Sequence, residues 1–113
     1  MTRVAILQGA LGPVGFICQG HAGYAEAGAD IVCAAVSILT TTCANALESV
    51  AGVKPYVTAR EKDGYLKLLL PDEMADGQRH DAQLLIRALG QGMADLQEAY
   101  PRYIHFTNQE WRK

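Results

Sequence analysis

The sequence predicts an α+β fold, with two helices on a mixed or mainly antiparallel sheet in the order β-β-α-β-β-α-β. Three observations predict it. Short β-branched and aromatic runs come in pairs divided by glycine-containing turns. Two longer segments repeat apolar residues at spacings of three and four. The pairs and the helical segments alternate along the chain, which puts hairpins into one sheet with helices on one face. At 113 residues, against a prior of ~150 per domain, the chain makes a single small domain. We take residues 1–108 as that domain and 109–113 as a C-terminal tail. With 50% apolar and 19% charged residues it is too apolar to stay disordered.

The elements follow in order. Val4–Gln8 and Val14–Gln19 read as strands joined by the loose turn Gly9–Gly12 and Pro13. Gly20 to Ala29 has small residues, three glycines and no apolar period, so it reads as a surface loop. Asp30 stands where an N-cap stands, directly before the helical stretch Ile31 to about Val50. In that stretch Val32, Val36, Leu39, Cys43, Ala46 and Val50 form one stripe, and Gly52 ends it. Lys54–Arg60 and Tyr65–Leu70 flank Glu61-Lys62-Asp63-Gly64, a second hairpin turn. Gln78–Tyr100 carries Leu85, Leu89, Met93, Leu96 and Tyr100 on one face, with Asp72 or Asp76 as cap and Pro101 as stop. Tyr103–Thr107 is the last strand, and Asn108–Lys113 a frayed end.

Several function classes drop out. Ten basic and twelve acidic residues give a net charge of −2, so no basic surface announces nucleic acid, and no nucleic-acid partner is expected. No apolar run reaches the ~18 residues of a membrane span, and the N-terminus lacks the order of a signal peptide. His80, His105 and the scattered cysteines have no metal-ligand spacing, so no metal is expected. Gly9–Gly12 lacks the spacing and following helix of a phosphate loop, and no cofactor is expected. Three cysteines, Cys18, Cys33 and Cys43, are an odd count without a CxxC pair. Free thiols in a reducing cytoplasm are the expectation.

Cys33 differs from the other two cysteines. If Asp30 caps the helix, Cys33 lies in the first turn, where unpaired amides and the macrodipole favour a thiolate. His21, twelve residues upstream across the loop, can fold back toward the sulfur and complete a Cys–His pair for nucleophilic catalysis. The plainer alternative also stands: a cysteine packed in an alanine-rich helix and a solvated loop histidine. Asp30 has two roles open to it, capping the helix or orienting His21 as a third triad member. A carboxylate near the sulfur would oppose thiolate formation, which favours the cap. Ser37, one turn beyond Cys33, either faces the same pocket or bonds its own helix backbone.

The run Gly20-His21-Ala22-Gly23-Tyr24-Ala25, then Gly28, then Asp30-Ile31-Val32-Cys33-Ala34-Ala35-Val36-Ser37 resembles the signature of the ribosomal-processing cysteine protease family. Weaker similarity in length, element order and the Tyr100-Pro101 helix end extends over the chain. The resemblance implies an endopeptidase that removes the N-terminal extension of ribosomal protein bL27 after a hydrophobic, typically aromatic stretch. It makes His21 and Cys33 the catalytic pair, and our own reading of the residues sets Asp30 and Ser37 beside them as supporting residues. Gly20, Ala22, Gly23, Tyr24 and Gly28 then belong to the substrate-binding loop. It also implies a homodimer. Two other readings remain at this stage: a non-catalytic, ribosome-associated module that grips the bL27 extension, and a redox-sensing thiol protein.

Overall fold

The computed structural model describes residues 1–20, 27–60, 62 and 64–112, with backbone only for 27–30. Seven elements follow in the predicted order: β1 (Thr2–Gly9), β2 (Gly12–Gln19), α1 (Ala27–Ser49), β3 (Tyr56–Arg60), β4 (Tyr65–Leu69), α2 (Asp76–Ala99) and β5 (Ile104–Glu110). They build one five-stranded sheet in the order β3-β4-β2-β1-β5. The hairpins β1–β2 and β3–β4 are antiparallel, as is β2–β4, whereas β5 runs parallel to β1. Short turns permit only antiparallel neighbours. The parallel pair exists because α2 carries the chain across the sheet before β5 begins.

Strand alternation sorts the two faces. Val4 and Ile6 of β1 lie in register with Cys18 and Phe16 of β2, and Phe16 with Leu68 of β4. These side chains meet Val32, Val36, Cys43 and Leu47 of α1 and Ala82, Ile86, Leu89 and Met93 of α2 in one core. Phe16 is completely buried, a placement that contributes about 1.5–3 kcal/mol relative to exposure. Edge strand β3 differs, since all five of its residues are exposed. The helices therefore leave β3 uncovered, and a groove opens between α1 and the β3–β4 hairpin.

Several boundaries depart from expectation. Helix α1 begins at Ala27, three residues before Asp30. Asp30 is thus not the N-cap, and Ala27–Ala29 belong to the helix and not to a loop. The buried stripe is Val32, Val36, Thr40, Cys43, Leu47, with Ala51 beyond it, while Val50 is 71% exposed. Helix α1 ends at Ser49, so Val50 lies in the turn just beyond it and leaves the stripe. Buried Thr40 is satisfied by donating from Oγ1 to the Val36 carbonyl at 2.9 Å. Gly52, at φ 68°, lets the chain leave the helix: its N–H donates to the Glu48 carbonyl, and Val53 N–H to that of Leu47.

The expectation that no segment matches a membrane span is also corrected. Ile31–Ser49 is long and apolar enough by itself, with mean hydropathy 1.5, because alanines and cysteine carry the average across interruptions. In this fold its stripe packs on the sheet and α2.

Helix α2 starts at Asp76 behind Ala75, so neither Asp72 nor Asp76 is the cap. Gln78 substitutes, its Oε1 accepting the Ala75 N–H at 3.0 Å. At the far end, β5 runs to Glu110, with Leu7 opposite Gln109 and Gln8 opposite Glu110. Asn108–Glu110 are therefore strand and not a frayed end, and a boundary at 108 cuts through it. Trp111 N–H continues the pairing to the Gln8 carbonyl, and the Trp111 ring lies 4.5 Å from Lys67 Nζ.

Candidate active site

The groove beside β3 is a cleft of about 320 Å³. From α1, Cys33, Ser37, Thr40 and Thr41 line one wall, because positions i, i+4, i+7 and i+8 share a helix face. Cys18 and Gly20 contribute from the end of β2, and the β3–β4 hairpin supplies the opposite wall through Arg60, Tyr65 and Leu66. Tyr65 is held there by the Arg60 guanidinium, 4.1 Å above its ring centroid. Gly20 has φ 86°, and a β-carbon on it would stand 2.7 Å from the Met1 carbonyl oxygen. Only glycine fits both constraints.

Two cysteines line the same cleft in unlike environments. Cys33 is half-buried, whereas Cys18 is 5% exposed. Burial, reinforced by Cys43, pushes the Cys18 thiol up to about 12. Burial likewise pushes Cys43 up to about 11, and its Sγ approaches the Leu85 carbonyl at 3.8 Å. Both are protonated, inert thiols at neutral pH. Cys33 is the sulfur in the cleft open to an electrophile.

The electrostatic argument made from the sequence is corrected here. With α1 starting at Ala27, Cys33 is the seventh helical residue, in the second turn. Its own N–H is committed to helix pairing, and terminal dipole effects fade within the first turn.

The family model described as cysteine protease Prp matches residues 1–105, nearly the whole chain and every element that lines the cleft. The chain belongs to the cysteine protease Prp family. A curated relative, the ribosomal processing cysteine protease Prp of Bacillus subtilis (strain 168), is 31% identical over 96 residues, covering 85% of this chain and 86% of the relative. Among solved structures, SMU.848 from Streptococcus mutans superposes with TM-score 0.86 at 31% identity, covering 98% of this chain and 96% of its own. The Prp of S. aureus, solved with a covalently linked product peptide, superposes with TM-score 0.81 at 25% identity, covering 96% and 100%. This Prp chain is thus a cysteine protease by family, and its α+β architecture is the Prp architecture.

Of the site residues predicted for this Prp chain, Gly20, Cys33 and Ser37 meet at the cleft. Gly28 and Asp30 lie in the first turn of α1, with the side chain of Asp30 outside the description. His21, Ala22, Gly23 and Tyr24 lie outside the described residues. Sequence reasoning missed Thr2, Thr40, Thr41, Arg60, Tyr65 and Leu66 as cleft residues. The spacing of seven from Cys33 is the one signal that finds Thr40. Thr41, eight residues on, carries the same helical signal, whereas Thr2, Arg60, Tyr65 and Leu66 reach the cleft through strand pairing, which leaves no local mark. Among the described residues no group of three His, Cys, Asp or Glu can hold a metal ion.

Proposed function

We propose that this protein is an endopeptidase that removes the N-terminal extension of ribosomal protein bL27, with Cys33 as nucleophile and His21 as its acid–base partner. The observation that carries this reading is the half-buried Cys33 on the wall of a cleft whose other cysteine is locked as a thiol. His21 is the residue covalently next to Gly20, which lines that cleft. The S. aureus Prp with its covalently linked product peptide supports an acyl-enzyme route.

In that route the Cys33 thiolate adds to the scissile carbonyl carbon. The carbonyl electrons move onto oxygen, and as they return the C–N bond breaks. His21, as imidazolium, gives its proton to the departing amine, leaving a thioester on Cys33. Neutral His21 then takes a proton from water, whose hydroxide adds to the thioester carbonyl. Collapse releases the new carboxyl terminus and returns the thiolate and imidazolium. Since Cys33 N–H belongs to the helix, the hydroxyls of Ser37 and Thr41 in the cleft are the nearby donors for the transient oxyanion. Asp30, displaced from the cap, takes the role of orienting His21.

The reading includes a homodimer in the cytoplasm. Ile31 and Ile38 of α1 are 50% and 63% exposed, and Leu84 of α2 is 49% exposed. Exposed apolar side chains on both helices suit contact with a second copy of the chain. Free thiols suit a reducing compartment.

The test mixes the purified protein with a synthetic peptide spanning the extension junction of the bL27 encoded in the same genome. Mass spectrometry is expected to find one cut after the hydrophobic stretch, and an intact peptide overturns the reading. A peptide bound but uncut, equally by wild type and Cys33→Ala, would instead favour the binding module.

A further inference from the structure

The cleft does not end at its rim. A second depression shares Gly20, Arg60 and Tyr65 with it and adds Arg3 and Gln19. A third shares Arg3, Gln19 and Tyr65 with the second and continues over Ile17, His105 and Thr107. These residues alternate with the core-facing ones along β1, β2 and β5, so the third depression lies on the sheet face away from the helices. The three together form one path. It leaves Cys33 on the helix side, crosses the end of the sheet at Gly20, and arrives on the open face. Tyr65 lines all of it.

Two features fit this path to a polypeptide. At the crossing stands Gly20, packed against the Met1 carbonyl and with no side chain of its own to project into the path. Beyond it the lining offers donors, the Arg3 guanidinium and the Gln19 amide, and no carboxylate among the described residues. An extended chain presents carbonyl oxygens that such donors bind. From β4, which carries Tyr65, to β5, which carries His105, there are three strand spacings, about 14 Å. That is the reach of four to five extended residues.

We propose that the substrate polypeptide continues past the cleft over Gly20 onto the open face of the sheet, where Arg3 and Gln19 hold its backbone carbonyls as a distal subsite. This rests on the peptidase reading above and adds a length requirement to it. Energy from the distal contacts serves to position the scissile bond, so shortened substrates lose turnover efficiency.

The experiment compares three peptides on the full-length protein. One is a core peptide around the bL27 extension junction. The other two are lengthened by about six residues, roughly 20 Å of extended chain, on the N-terminal or the C-terminal side. Wild type is expected to cleave one lengthened peptide with kcat/KM about tenfold above the core peptide, the scale of hydrogen bonds to a charged group. In R3A the advantage should fall to about twofold, with core-peptide cleavage unchanged, and R3K should recover part of it. Equal cleavage of all three peptides by wild type, or an advantage that survives in R3A with Q19A, overturns the distal subsite. The same peptides are titrated onto C33A by fluorescence anisotropy. Length-dependent binding that needs Arg3, without cleavage by wild type, sinks the peptidase reading and keeps the subsite. Absence of both sinks both.

Discussion

Cys33 and Cys18 line one cleft and differ in burial, the property that decides whether a sulfur can react. Cys33 projects from the rim of α1, where the neighbouring strand β3 is left uncovered. Cys18 comes from the central strand β2, between Val4 and Leu66 and beneath the helices. A sulfur on a strand at the centre of a covered sheet has hydrocarbon around it, and burial holds it as a thiol, at about 12. The difference teaches that the element a cysteine sits on, and what covers that element, decides between packing and chemistry.

The largest expected effect that breaks or sharpens this contrast is on catalysis. Cys33→Ala should lower kcat by on the order of 10⁴-fold or more, the scale of removing a covalent nucleophile. Cys18→Ala should leave kcat within about threefold. Comparable losses in both, read by peptide cleavage, would erase the distinction.

His21→Ala comes next. In the proposed mechanism the His21 imidazole activates Cys33, and its removal should cost about 10²–10⁴-fold. A smaller loss would return the activating role to the helix.

Chemical labelling follows. At pH 8 a thiol titrating at about 12 is roughly 10⁻⁴ thiolate, and one at about 11 roughly 10⁻³. Iodoacetamide followed by peptide mapping should therefore modify Cys33 at least about tenfold faster than Cys18 or Cys43. The same burial links stability to pH above about 9. The native thiols hold protons that the unfolded chain has released, so stability present below pH 9 is lost as pH rises toward about 12. Equal labelling of all three sulfurs at pH 8 would contradict the burial argument.

The smallest effect is on stability. Cys18→Ala removes one buried sulfur and should lower unfolding free energy by about 1–2 kcal/mol in denaturant titration. Cys33→Ala, at a half-buried position, should cost less than Cys18→Ala. The reverse order would mean that Cys33 is the packed residue.

Much of this was legible from local pattern. Alternation at Val4–Ile6 and Phe16–Cys18 and the helical spacing of Leu85, Leu89 and Met93 report burial through a fixed geometric period, so element order and fold class follow. The same helical period puts Cys33 and Ser37, four residues apart, on one helix face. The ends of elements were not. Asp30 has the chemistry of an N-cap, yet α1 starts at Ala27. Ala75 has none, yet α2 starts behind it with Gln78 substituting. Capping preferences are worth about 1 kcal/mol, and packing along a 23-residue helix outweighs them. Asn108–Trp111 looked like a polar end, and only pairing with β1 makes it strand.

The amino-acid order by itself determined the two helices, the two hairpins, and the family to which the motif around His21 and Cys33 pointed, because each is written in spacings of a few residues. Only the tertiary structure decided that β3 stays uncovered, that Tyr65 and Thr2 meet Cys33 across more than thirty residues of chain, and that one cleft thiol is locked while the other is open. Those outcomes depend on which surfaces the helices cover, a quantity fixed by three-dimensional packing and carried by no single stretch of sequence.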